Sequence, residues 1–262
     1  MNQHRRWLLS VSVADILFLY APIVLLIAFS FNASRISAAW GGFTLQWYRE
    51  LIADPSLLAS VHNSLFVALV STAIATVLGV SAAVGAERLP IRGQRWVEAG
   101  VILPLVVPEI MLGVALMLFF VTIKLPLSLL TVTIGHAAFN LPVVMVIVRA
   151  RLRKLDPRLE EAAYDLGATP WQAFRRVTLP LLMPAIIGGV LMAFTISLDD
   201  FIVTFFTGGP GSTTLPLKVY SMIKSGVSPV INALSAVLVL VSMALIGLSM
   251  AFQRRDGARI EK

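Results

Sequence analysis

DPRLEEAAYDLGATPWQAFRRVTLPLLMPAI, residues 156–186, is the one long polar segment of an otherwise apolar chain, and it lies between two apolar stretches. Asp156 suits a helix N-cap, and Pro157 suits the first helical position, where a missing N–H costs nothing. Leu159, Ala162, Ala163 and Leu166 recur at helical spacing and give one narrow apolar face. Gly167 supplies a left-handed residue to end that helix. Thr169 and Gln172 have capping-box spacing around Pro170 and start a second helix, which Leu179-Pro180 is expected to close. The spacing predicts two short helices and a tight turn outside the bilayer. Two alanines on the apolar face allow a close approach, so the element presents a shape to a partner.

Working outward, the chain has 262 residues, 58% hydrophobic and only 13% charged, which excludes an ordinary soluble domain. A hydrocarbon core of about 30 Å needs about 20 apolar residues per helix. Six stretches qualify, near 14–31, 63–86, 99–121, 127–148, 181–206 and 230–252. They predict an all-α membrane protein of six transmembrane helices, with residues 1–262 as a single domain and a cytoplasmic loop over 150–180. His4, Arg5 and Arg6 precede an apolar run that reaches Phe31, too long for a signal-peptide core, so it reads as a retained first span. The absence of cysteine excludes disulfides, thiolate ligands and a cysteine nucleophile.

The net charge of +7 reports topology rather than nucleic-acid binding. The N-terminus, 87–98, 149–180 and the tail after 252 hold 16 Lys and Arg, whereas the opposite loops hold 5. That bias puts both termini and the 149–180 loop in the cytoplasm. In the outer 32–61 loop, Trp40, Trp47 and Tyr48 are expected at the membrane interface, with docking of an outside partner as the other reading. The second span is rich in Ala, Ser, Thr and Gly, which suits close helix packing inside the bundle.

Leu103–Ile110 and Leu179–Ile186 both read L-P-L-x-x-P-x-I. Either the prolines mark irregular helix near a pathway, or they are tolerated where a helix enters the membrane. His136 and Asn140, one turn apart, read as an interhelical hydrogen-bond pair. Residues 208–214, GGPGSTT, lack the Gly-Lys-Ser/Thr of a phosphate loop and read as a flexible outer loop. The ionisable residues within spans are Asp15, Glu109, Asp199 and Asp200, all acidic. Such groups are costly in lipid and face a bundle interior or water. They repel anions and attract cations. Asp199 lies roughly 27 Å from the inner end of its span at 1.5 Å per residue. Adjacent helical residues diverge by about 100°, so one aspartate can face the pathway while the other pairs elsewhere; alternatively both are interfacial and solvated.

Glu161-Ala162-Ala163, then Gly167, then Val177, Thr178, Leu179 and Pro180 resembles the EAA loop of ATP-binding-cassette importer permeases. Val177 replaces the pattern's isoleucine, a loss of one methylene. Residues 194–200 (FTISLDD), 215–222 (LPLKVYSM), 226–229 (GVSP) and 42–48 (GFTLQWY) further resemble the second permease subunit of spermidine/putrescine importers. The resemblance implies a type I importer permease bundle in a bacterial inner membrane, with a cytoplasmic coupling helix. It also implies partners: two copies of an ATP-binding subunit, a homologous second permease and an extracytoplasmic solute-binding protein. ATP and Mg would sit on the ATP-binding subunit, with no cofactor and no catalytic residue here. Glu161, Ala162, Ala163, Gly167, Leu179 and Pro180 would couple to that subunit. Glu109, Asp199 and Asp200 are the candidates for the solute pathway. The implied solute is a polyamine or similar organic cation, with another small charged solute as the alternative. A secondary transporter would need coupling-ion ligands near the midplane. An intramembrane enzyme would need a nucleophile with a base, or clustered metal ligands.

Overall fold

Long apolar runs must satisfy their backbone polar groups internally, and this chain does so with helices. A computed structural model describes residues 3–34, 39–88, 93–226, 228–241 and 243. The chain divides into two compact units, residues 1–58 with 219–262, and residues 59–218.

The first unit opens with α1 (Gln3–Phe29), whose apolar part is Val11–Phe29. The loop that follows folds onto Asn32. Its amide Nδ2 donates to the Ala39 carbonyl at 2.8 Å, and its Oδ1 accepts from the Gly41 N–H at 2.7 Å. Trp47, on α2 (Gln46–Ala53), is only 3% exposed and donates Nε1–H to the Asn32 carbonyl at 2.7 Å. Tyr48 shares a hydrogen bond with Ser30, Oη to Oγ 2.7 Å. These two aromatics hold the loop together, whereas Trp40 is exposed. A further apolar helix runs over Pro229–Val241. The rest of the expected 230–252 span lies, Met243 apart, outside the described residues.

In the second unit, α3 (Pro55–Arg88) buries a stripe of small side chains, Ser64, Ala68, Ser71, Ala75 and Ala83, at helical spacing. α6 (Leu129–Leu152) is the most buried of the long helices. Ala83 joins Val144, Met145 and Val148 of α6 and Leu182 and Ala193 of the expected 181–206 span in one core cluster.

The two proline motifs fold differently. The expected 99–121 span is two helices, α4 (Gln94–Val106) and α5 (Glu109–Thr122), bent by 113°. Val107 is extended (ψ 133°), the conformation that the ring of Pro108 favours in the residue before it. The second motif does not break. Contrary to expectation, Leu179-Pro180 closes nothing: α7 (Arg158–Asp165) and α8 (Pro170–Ala173) are followed by a π-helical turn, Phe174–Thr178, that runs straight into α9 (Leu179–Asp199). In that wider turn the Leu179 N–H donates to the Phe174 carbonyl, five residues back. Widening the ladder just before Pro180 relieves the clash a proline ring otherwise makes with the preceding turn.

The expected 181–206 span ends early, since Asp200 is extended and α10 (Ile202–Thr207) starts afresh. The glycine-rich segment is pinned rather than loose. Asn63 Nδ2 donates to the carbonyls of Gly211 (2.9 Å) and Thr213 (3.0 Å), and Thr131 Oγ1 donates to Thr207 (2.7 Å). α11 (Leu215–Lys224) follows, and its Leu215 N–H donates to Ser64 Oγ at 2.7 Å. Among the described residues, four helices are long and apolar enough to cross a membrane, or five if the bent α4–α5 pair counts as one span.

Candidate functional site

The two helix breaks generate a cavity of about 580 Å³. Glu109, in the first turn of α5, lines it from one break, and Asp199, the last residue of α9, lines it from the other. Asp200, Phe139 and Phe201 complete the polar and aromatic part of its wall. Three carboxylates separated by up to 91 positions in the chain thus share one concavity. Gly113 makes the closure possible: a Cβ there would stand 2.8 Å from a Phe206 ring carbon of the α10 segment.

The two aspartates differ in what they touch. Asp199 is exposed on the cavity wall. The Asp200 side chain is 6% exposed and caps α10, accepting from the N–H groups of Val203 (3.2 Å) and Thr204 (2.9 Å). His136 Nε2 lies 3.1 Å from Asp200 Oδ2 and 2.9 Å from Thr204 Oγ1, and His136 Nδ1 lies 2.7 Å from Ser197 Oγ. With its proton on Nε2, His136 donates to the carboxylate and accepts from Ser197. His136 is therefore interhelical as expected, but with α9 and α10 rather than in a pair with Asn140. Asn140 is fully buried with neither amide atom hydrogen-bonded. No sequence signal links His136 to Asp200, which lies 64 positions away.

On the polar loop, Asp156 Oδ1 accepts from the Arg158 N–H at 3.0 Å, so it caps α7 from two residues ahead of the helix start. Gly167 has φ +82°. Its N–H donates to the Tyr164 carbonyl (2.9 Å) and that of Ala168 to Ala163 (3.0 Å), the paired bonds of a Schellman stop. Thr169 and Gln172 exchange the capping-box bonds at 3.3 and 2.9 Å. α7 has no buried residue, and Leu159, Leu166 and Trp171 stand exposed around it. Glu161 and Ala162 are exposed while Ala163 is half-buried, so the three share one short helix with Gly167 at its end. Leu179 is half-buried and Pro180 exposed at the start of α9. Glu160, next to Glu161 and turned inward, accepts from Arg88 Nη2 and from Thr178 Oγ1.

Solved structures share this architecture. The chain superposes with a TM-score of 0.71 on a chain of a bacterial ABC transporter that imports the acidic polysaccharide alginate, at 18% identity, covering 97% of this chain and 98% of that one. It superposes with a TM-score of 0.61 on a chain of the MetNI methionine ABC transporter, at 19% identity, covering 79% and 95%. The fold is that of an ABC-importer permease. Residues 75–262 match the family described as the binding-protein-dependent transport system inner membrane component, and the chain belongs to that family. It is 40% identical over 248 residues to the putrescine transport system permease protein PotI of Escherichia coli K12, covering 92% of this chain and 88% of that protein. To the spermidine/putrescine transport system permease protein PotC of the same strain it is 40% identical over 229 residues, covering 87% of each.

Proposed function

We propose that this permease passes a polyamine such as putrescine or spermidine in an ATP-driven type I importer. The observation that carries the reading is the cavity where Glu109, Asp199 and Asp200 meet Phe139 and Phe201. Carboxylates attract a polyammonium chain, and aromatic faces attract its charged ends. The names of the two relatives point to the same solute class.

In this reading residues 1–262 work as one permease domain of six spans. These are α1, α3, the broken α4–α5 pair, α6, α9 and the helix that begins at Pro229. Both termini face the cytoplasm of a bacterial inner membrane. α7 is the coupling helix. Glu161, Ala162, Ala163 and Gly167, with Leu179 and Pro180 behind them, face one of two ATP-binding subunits, which hold ATP and Mg. A second, homologous permease completes the pathway, and an extracytoplasmic binding protein delivers the solute. The exposed apolar residues Leu159, Leu166 and Trp171 support a covered face there. From Pro170 to Asp199 the chain is one unbroken 30-residue helix. It is a rod of roughly 45 Å from the docking side to the cavity. Nucleotide-driven closure of the partner would bias such a rod between two positions.

The test is uptake of labelled putrescine by proteoliposomes carrying the full assembly. ATP-dependent accumulation, displaced by spermidine and not by anionic solutes, is the expected result; accumulation of an anion instead would reject the solute class. Orientation has its own measurement. A cysteine at exposed Arg153, in a chain with no native thiol, is expected to resist an impermeant maleimide in intact cells and to react in inverted vesicles. Labelling in intact cells would reverse the topology.

A further inference from the structure

The inner end of α3 divides its loyalties between two neighbours. Glu87 accepts from Arg149 Nε and, at 2.8 Å, from Arg153 Nε, both at the end of α6. Arg149 also donates to both Glu98 oxygens, at 2.8 and 3.0 Å, which ties in α4. Arg88, the next residue, turns the other way. Its Nη2 donates to Glu160 Oε1 of α7 and, at 3.1 Å, to Thr178 Oγ1 of the π-helical turn. Its guanidinium carbon stands 5.8 Å from the centre of the Phe174 ring, at the other end of that turn. Thr178, 1% exposed, donates in turn to Glu160. Three side chains thus close a triangle linking α3, α7 and the base of α9.

We propose that Arg88 and Glu160 form the joint through which a displacement of α7 reaches α3 and α9, and that they are positioning residues for transport. The inference rests on the reading of α7 as the helix that docks on the ATP-binding subunit. Three features carry it. First, α7 has no buried side chain, and Glu160 and Ala163 are its half-buried residues, so apolar packing alone offers little grip on the helix. A charge-assisted, two-acceptor contact does. Second, the side chains of Arg88 and Glu160 are 28% and 22% exposed, partly shielded from solvent and from salt, unlike a free surface pair. Third, the π turn swings Thr178 and Phe174 onto Arg88, and such turns recur where a helix carries a functional side chain. Glu160 and Glu161 then divide the labour. One faces the bundle and holds the helix to it, while the other faces out.

The experiment uses the full assembly, with ATP-binding subunits and binding protein, in proteoliposomes. Arg88→Gln, Glu160→Gln and the exchanged pair Arg88→Glu with Glu160→Arg are compared with the unaltered protein. The readouts are co-purification of the ATP-binding subunit and labelled putrescine taken up per ATP hydrolysed. All three variants are expected to retain the subunit. The two single variants are expected to lose about tenfold in uptake per ATP, as a broken coupling of ordinary size would give. The exchanged pair is expected to recover to within about threefold, since reversed charges restore the contact. A purely structural role would lower the amount of protein and not this ratio. Unchanged ratios in the single variants would overturn the proposal. So would loss of the subunit in Glu160→Gln, which makes Glu160 a docking residue, or an exchanged pair no better than the single variants. Failure of the docking reading itself appears separately, as full retention of the subunit by Glu161→Lys.

Discussion

Asp199→Asn is expected to lower putrescine uptake about tenfold at subsaturating solute, the loss that follows when one favourable charge contact worth a factor of ten is removed. Its thermal midpoint should stay within about a degree of the unaltered protein, because surface substitutions away from packed or paired groups are close to neutral. Asp199 lines the cavity and is exposed to it, so the neutral amide removes attraction for a cation and disturbs no packing. Asp200→Asn should behave in the opposite sense. That side chain is a buried cap of α10 held against His136. Breaking a buried charged contact costs about 3–5 kcal/mol, and an amide that keeps one acceptor oxygen should fall near the lower figure. The measurement is uptake across a solute series beside thermal unfolding of the same preparations in detergent. If Asp199→Asn unfolds early while Asp200→Asn alone loses uptake, the assignment of the two residues is reversed.

Gly167→Pro is expected to release the ATP-binding subunit almost completely while the permease still inserts. Proline holds φ near −65°, whereas Gly167 sits at +82°. The substitution also deletes the N–H that donates to Tyr164. Both changes dismantle the stop that sets the angle between α7 and α8, at a cost on the order of 3 kcal/mol, enough for a more than hundredfold weaker hold. Glu161→Lys should reach a similar loss without altering the backbone, because it reverses one exposed charge on the proposed docking face. Co-purification from membranes, with permease content read by immunoblot, decides it. Retention of the subunit by both variants would falsify the coupling assignment.

How much of this was legible in the sequence depended on range. The caps at Asp156 and Thr169 and the stop at Gly167 were readable because each rests on residues within four positions. The Asp156–Ile186 stretch also carried the family, which the comparisons establish. The second proline motif misled. Pro180 reads as a terminator, yet the π turn, which depends on the whole surrounding ladder, absorbs it. The identical first motif did break at Pro108, and spacing alone could not tell the two apart. The hydrogen bonds of Trp47 to Asn32 and of Tyr48 to Ser30 were not legible, because their partners lie fifteen and eighteen positions away. The acidic residues were visible one by one. Their convergence was not, since it follows from a 113° bend and an early helix end that leave no periodic trace.

The π turn has one more consequence, and it concerns phase. Each residue of an α-helix advances the azimuth by about 100° and the height by about 1.5 Å. A five-residue π turn holds one residue more than the α ladder would need, so it sets the angle between what lies below Phe174 and what lies above Thr178. Below it stands the Thr169–Gln172 cap beside α7; above it, at the far end of α9, stands Asp199. Excising a single exposed residue of the turn, Arg175 or Arg176, would leave Phe174, Thr178 and every residue outside the turn in the chain. It would nonetheless turn the Thr169–Gln172 cap and the Asp199 carboxylate about 100° out of step, as shaft and key are spoiled by one misplaced tooth.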